Sequence, residues 1–342
     1  MAEPATFLIT GATGLVGFRI LLAVLAAGHT VRYTARSEEK VRAVSSNPAI
    51  KKLAPGARLT PVITPDLNIE GVLDDALQGV THVIHAGSPL PMPTFDPVTQ
   101  VFEPTVKMSS NVLSSALKSP SVKRVIITSS TVSNSPLDQQ PTTALFASSR
   151  QQPPNPIPST INIFEAYVLG KMVEVHNSDE LIRTKTPHFT VSHIMPGYVF
   201  GRNELALDPK MMQFQNSSNY YLMVALLGGE ERLPIRSGFA HIDDVAEAHL
   251  RAAFLDPKTA GFPQDFGIST AVDYTTTFDY AEKAFPKAVA AGVFKRGRIS
   301  NVCVDYDSSD AERLLGRPLR SFESTVVEVA GQYLETLGVA RE

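Results

Sequence analysis

One cysteine, Cys303, stands in a chain of 342 residues. An intrachain disulfide needs two, so no crosslinked framework is expected and the composition suits a reducing compartment. No Cys/His cluster occurs at ligand spacing, which removes a zinc site from the expectations. Long hydrophobic runs are equally scarce. Near the N-terminus the longest is Ile20 to Ala27, far short of the roughly 20 residues that span a bilayer. No basic stretch precedes the first apolar strand at Thr6, so no secretory leader is expected and the cytoplasm is the expected location. Neither sign of charge dominates: 31 Lys and Arg against 34 Asp and Glu leave a net charge of −3, without the footprint of a nucleic-acid or anionic-membrane binder. Short internal repeats are missing as well. The length suits one large α/β domain with an embedded smaller lobe, as a monomer or homodimer.

The pattern that is present alternates short apolar runs with helical stretches. Strands are expected at Thr6–Thr10, Val31–Ala35, Leu59–Ile63, His82–Ala86, Arg124–Ser129 and Phe189–Met195. Helices are expected near Leu15–Ala27, Ser37–Asn47, Gly71–Gln78, Val98–Lys118 and Asn162–Thr184. Continuous apolar runs such as Val125-Ile126-Ile127 suit strands buried on both faces, hence parallel pairing in a doubly wound Rossmann sheet. Residues Ser135–Pro158 carry six prolines, among them Pro136, Pro141 and Pro158, and read as a long loop of the kind that carries function. After Pro196 the alternation weakens. The expected division is a dinucleotide-binding domain at 1–196 and 238–268, with a discontinuous substrate lobe at 197–237 and 269–342; Phe239–Leu255 returns to sheet-packing character.

The first strand runs into Gly11-Ala12-Thr13-Gly14-Leu15-Val16-Gly17 and then an apolar helix. Glycines permit positive φ and close backbone approach, and the helix N-terminus offers free N–H groups to a pyrophosphate. Gly11, Thr13, Gly14, Leu15, Val16 and Gly17 are therefore candidate cofactor residues. An NAD enzyme would place an acid at the end of the second strand. Here the strand ends in Arg36, Lys40 follows one turn later, and a guanidinium with an ammonium suits the 2′-phosphate of NADPH. The bland alternative is two solvated surface charges, with Glu39 as partner. Asp66 and Leu67 after the third strand, and Ala86, Gly87 and Ser88 after the fourth, sit where open sheets bind ligands.

Of nine tyrosines only Tyr167 has a lysine four residues on, Lys171. On a helix this spacing puts both side chains on one face, about 6 Å apart along the axis. An isolated phenol is a poor acid at neutral pH, and a neighbouring ammonium favours its charged form. The pair can donate a proton to a carbonyl oxygen while hydride arrives from nicotinamide, and Lys171 can also hold the ribose. Thr128-Ser129-Ser130 ends the fifth strand and offers hydroxyls for the developing oxyanion. Strand periodicity by itself leaves Ser129 and Ser130 as alternatives.

Taken together, the glycine motif, the strand-end serines and Tyr167-x-x-x-Lys171 resemble the extended short-chain dehydrogenase/reductases. The nearest branch holds dihydroflavonol reductase, cinnamoyl-CoA reductase and the yeast methylglyoxal and ketone reductases. The likeness runs nearly end to end, through Thr34–Lys40, His82–Pro89, Arg124–Ser130, Pro196–Gly201, His241–Ala246 and Asp310–Gly316. It implies NADPH-linked reduction of an aldehyde or ketone, with Ser130, Tyr167 and Lys171 catalytic and Thr128 beside the cofactor. It also implies Arg36 and Lys40 at the 2′-phosphate, and Pro196 and Val199 against the nicotinamide. One departure stands out. The family's asparagine after a Pro-x-Val run, which supports a relay water, is Lys107 here, with Asn111 one turn later.

The remaining candidates have plainer explanations. His85, His193 and His241 fit structural histidines, and Asp243-Asp244 fits a helix N-terminal charge pair. Met211, Met212, Phe214, Tyr220, Tyr221 and Met223 read as lobe core or pocket wall. As pocket, with Leu90, Met92, Phe95 and Tyr198, they imply a bulky, mostly apolar carbonyl substrate. Two rivals stand against a carbonyl reductase: an epimerase or dehydratase that retains NAD, and an NADP-sensing regulator without chemistry.

Overall fold

A computed structural model describes residues 4–136, 143–159, 161–213, 217–236, 238–256 and 263–340. In the first half, strands β1 (Thr6–Thr10), β2 (Thr30–Ala35) and β3 (Leu59–Ile63) alternate with helices α1 (Leu15–Ala26), α2 (Glu38–Ser45) and α3 (Pro48–Leu53). Next come β4 (His82–His85), α4 (Glu103–Leu117), β5 (Arg124–Thr128), α5 (Ile163–Lys185) and β6 (Thr190–Pro196). The remaining elements are β7 (Tyr198–Phe200), α6 (Pro209–Gln213), α7 (Asn219–Leu226), β8 (Ile235–Arg236), β9 (Phe239–His241), α8 (Ile242–Phe254) and β10 (Phe266–Ile268). After them lie α9 (Thr277–Ala284), α10 (Pro286–Ala290), β11 (Asn301–Val302), α11 (Ser309–Leu315) and α12 (Phe322–Thr336).

Seven strands form one parallel sheet in the order β10-β6-β5-β4-β1-β2-β3. The chain winds outward from β1 through β2 and β3, then returns to place β4 on β1's other side. That reversal opens a crevice beyond the carboxyl ends of β1 and β4. Alternate strand residues feed two cores, as a pleat of period two requires. Phe7, Ile9, Ile84 and Ile126 pack with α1 and α8 on one face. Leu8, Val83, Val125 and Ile127 pack with Val112 and Leu113 of α4 on the other. This two-sided burial is why the strands are continuous apolar runs.

A third core lies apart from the sheet, where Phe200, Leu222, Tyr274, Phe278, Phe322 and Val329 bring α7, α9 and α12 together. Ala311, Leu314 and Leu315 of α11 belong instead to the sheet's core. Two expectations are corrected. Gly71–Gln78 forms successive turns and no helix, although Leu73 and Leu77 are buried. Gly71 and Gly79 both adopt positive φ, which brackets the segment, and Asp74 is drawn away to Ser115 of α4 and Lys118 just past its end. The stretch from Val98 begins as a π-helical turn, Pro97–Phe102, before α4 starts. No helix among the described residues is long and apolar enough to cross a membrane.

Candidate active site

Gly11 follows β1 with φ +73°, and a Cβ there would lie 2.5 Å from the Ala86 carbonyl and the Gly87 nitrogen. Only glycine lets the turns after β1 and β4 meet this closely. At Gly17 a Cβ would fall 2.2 Å from the Gly11 carbonyl oxygen, so the first turn of α1 can fold under the loop. Gly14 is the N-cap of α1 and brings no side-chain cap, and the first turn holds no acid. The helix therefore presents uncapped N–H groups and an uncompensated positive end. This is the donor set that a pyrophosphate fits.

A cleft opens there. Its walls include Gly11, Gly14, Leu15, Val16, Gly17, Ala86, Ser88, Thr128, Ser129, Ser130, Tyr167, Lys171, Pro196 and Val199. Fourteen residues spread from position 11 to 199 thus share one cavity along the sheet's edge. Thr13 and Gly87 belong to the same two turns without lining it. Arg36 and Lys40 are exposed at the end of β2 and the start of α2, and neither takes part in an ion pair among the described residues. Asp66 is exposed and accepts from Asn68 N, while the Leu67 carbonyl accepts from Asn111 Nδ2 at 2.9 Å. Asn111 thus secures the turn after β3, and Lys107 pairs on the surface with Glu103 at 3.1 Å.

Tyr167 and Lys171 owe their place to the start of α5. Asn162 accepts from Phe164 N and Glu165 N at 3.0 Å, and Glu165 returns an acceptor to Asn162 N at 2.8 Å. This capping box fixes the helix start just after the proline-rich loop and puts Tyr167 one turn in. The loop is itself pinned: Asn134 Nδ2 donates to Ser149 O at 2.6 Å, and Arg150 Nε donates to Asp179 of α5 at 2.8 Å. Tyr167 is half-buried and Lys171 is 2% exposed. Lys171 Nζ donates to Thr128 O at 2.9 Å and to the two Glu174 oxygens at 3.1 and 3.3 Å. Glu174 was not among the residues singled out from sequence, although an acid one helical turn past a lysine is a readable sign.

The hydroxyls differ in their ties. Ser130 caps the turn at Thr131–Asn134, accepting from Val132 N and donating to Pro196 O, both at 3.4 Å. Ser129 Oγ is buried without a partner. His85, beneath the turn after β4, hydrogen-bonds Thr10 through Nδ1 at 2.7 Å. Burial, and then the charge of Lys171, pushes it down to about 3, so it is neutral at working pH. His193 is tied to Asp265 and His241 to Asp243 N and Glu328. Asp243 meets Arg19, and Asp244, fully buried in the first turn of α8, meets Arg317 and Arg320.

The rest of the cleft's lining is largely apolar: Pro89, Leu90, Pro91, Met92, Val132 and Phe164, with Tyr198 and Tyr221. Leu90, Met92 and Tyr198 thus line the cleft. Met212 does not: it is 2% exposed inside the third core, as are Met223 and, at its edge, Met211. Phe95 is exposed and does not line the cleft. Phe214 lies outside the described residues. Pro89, Val132, Phe164, Ser217 and Ser218 went unnoticed, because only tertiary folding brings these separate loops together.

Comparison with known proteins gives a consistent picture. Residues 7–260 match the NAD dependent epimerase/dehydratase family. The NAD-dependent epimerase/dehydratase ALT6 of Alternaria alternata is 34% identical over 358 residues, covering 99% of both chains. Ketoreductase CTB6 of Cercospora nicotianae is 33% identical, covering 96% of this chain and 94% of its own. Among solved structures, yeast methylglyoxal/isovaleraldehyde reductase Gre2, complexed with NADPH, superposes with a TM-score of 0.81 at 22% identity. That match covers 98% of this chain and all of Gre2.

Proposed function

The chain belongs to the NAD dependent epimerase/dehydratase family, the extended short-chain dehydrogenase/reductases, and from that premise we propose that it reduces an aldehyde or ketone with NADPH. One observation carries the reading. Tyr167 and Lys171 line the same cleft as Gly11 and Gly14, together with the apolar Pro89, Leu90 and Met92. Gly11, Gly14, Leu15, Val16 and Gly17 would hold the dinucleotide, with Ala86 and Ser88 opposite. The free cations Arg36 and Lys40 favour NADPH over NADH, because a guanidinium and an ammonium reward a 2′-phosphate. When bound, the cofactor supplies a hydride to the carbonyl carbon.

The chain's own groups do the rest. Tyr167 gives its phenolic proton to the carbonyl oxygen, so ketone plus hydride plus proton leaves as the alcohol. The Ser130 hydroxyl, turning its one proton from Pro196 O, donates to the same oxygen as negative charge builds there, beside the unpartnered Ser129. Lys171, one helical turn on from Tyr167, would hold the ribose with its remaining N–H. Pro89, Leu90, Met92 and Phe164 exclude water from the reacting atoms and suit a bulky, apolar substrate. The relatives named as ketoreductases support this chemistry.

Purified protein tested on a panel of aldehydes, diketones and bulky aryl ketones should consume NADPH steadily and carry no bound dinucleotide. A tightly retained dinucleotide, with substrate rearranged and none consumed, would overturn the reading in favour of an epimerase.

A further inference from the structure

We infer that Glu174 is a positioning residue whose buried carboxylate fixes Lys171 and offsets its charge, so that Tyr167 keeps the proton it must give. This rests on the reduction proposed above. An ammonium has three N–H donors in tetrahedral array. One is committed to Thr128 O at 2.9 Å, and both oxygens of the Glu174 carboxylate share another at 3.1 and 3.3 Å, which leaves one for the cleft. Without Glu174 the ammonium would keep one acceptor and turn about its own bond.

The charges are as constrained as the geometry. Lys171 and Glu174 are 2% and 1% exposed, and a buried cation needs an opposite charge close by. The groups on neighbouring elements do not supply it. On β4, His85 is uncharged for the reasons given above. On α8, His249 donates through Nδ1 to Val245 O and accepts from the Thr128 hydroxyl; burial pushes it down to about 4. On the cleft side, burial holds Tyr198 and Tyr221 as phenols. On α4, Glu103 and Lys107 pair with each other at the surface. On β6, His193 is tied to Asp265, which Arg150 also engages. The turns at Pro97–Phe102 and Thr131–Asn134 hold no ionisable side chain. Among the described residues Glu174 is therefore the anion facing Lys171. An unbalanced ammonium one helical turn from Tyr167 and lining the same cleft would favour the phenolate, and a phenolate has no proton to donate. The pair keeps the lysine's hydrogen bonds and moderates its field.

The test follows tyrosinate absorbance against pH in the chain and in Glu174→Gln, each measured against its own Tyr167→Phe counterpart, so that the difference isolates Tyr167. The Gln variant should form its phenolate about one pH unit lower than the parent. The alkaline fall of NADPH-dependent reduction should move by the same amount, and Glu174→Asp, which keeps the charge, should titrate with the parent. A Gln variant that loses rate and stability while its phenolate appears at the parent's pH would overturn the inference. So would an Asp variant that moves as far as Gln. Should the Gln variant not fold, the double variant Lys171→Met/Glu174→Gln, which buries neither charge, decides. Titration near the parent's pH supports the offset, and a rise of about one unit or more refutes it. Full turnover in Tyr167→Phe would defeat the reduction reading itself. An unmoved phenolate with Tyr167→Phe inactive would defeat only the role of Glu174.

Discussion

The two ends of the cleft are made of different material. At the dinucleotide end the walls are mostly backbone: two turns meet at Gly11 and Gly87, and a helix start is left uncapped at Gly14. On the apolar side the walls are side chains from the turn after β4, the start of α5, the segment after β6 and the approach to α7. Backbone geometry is dictated by a handful of consecutive residues, so the first end is written locally in Gly11–Gly17. The second depends on which separate loops the fold brings together, and no local run of residues encodes that.

Tyr167 and Lys171 line the cleft together with both sets of walls, and the sharpest way to test the division is to cut there. Lys171→Met should lower turnover by roughly 10²- to 10⁴-fold. It should also cost about 3–5 kcal/mol of stability, since Glu174 would be left buried without its partner. Urea unfolding and NADPH consumption measure the two effects separately. Adding Glu174→Gln should recover the stability and not the turnover; recovery of both would erase the boundary role of Lys171.

The next test concerns the third core. Met212→Ala should destabilise the fold by about 2–5 kcal/mol, as expected for an emptied core position. The ratio of kcat/KM values between a small aldehyde and an aryl ketone should stay the same. A changed ratio with unchanged stability would return Met212 to the pocket wall.

At the dinucleotide end, Arg36→Glu removes a charged hydrogen-bond donor of the kind worth about 1.5–3 kcal/mol. The KM for NADPH should rise by roughly 10- to 100-fold on that basis, and the KM for NADH should change little. Equal losses with both cofactors would show that Arg36 does not read the 2′-phosphate.

Much of this division was legible in the sequence. Strand positions came through because burial on both faces leaves uninterrupted runs such as Val125-Ile126-Ile127. The start of α5 came through because Asn162 and Glu165 form a local capping box. The missing pieces have physical causes. Phe266–Ile268 adds a strand beyond β6, but three residues around a glycine carry too few positions to show a period of two. Leu73 and Leu77 have helical spacing because both reach the core, yet flanking glycines at positive φ turn the chain instead. Met212 and Met92 are alike in the sequence, and only the tertiary packing sends one to the core and the other to the cleft. Glu174 was overlooked because an acid on a long helix reads as surface until the fold buries it against Lys171.

The central claim is that the Tyr167 phenol supplies the proton at the junction of the two ends, and the most direct measurement is the turnover of Tyr167→Phe with NADPH saturating. The structure predicts a fall of roughly 10²- to 10⁴-fold with unchanged NADPH binding and thermal stability. Turnover equal to the parent's would contradict it.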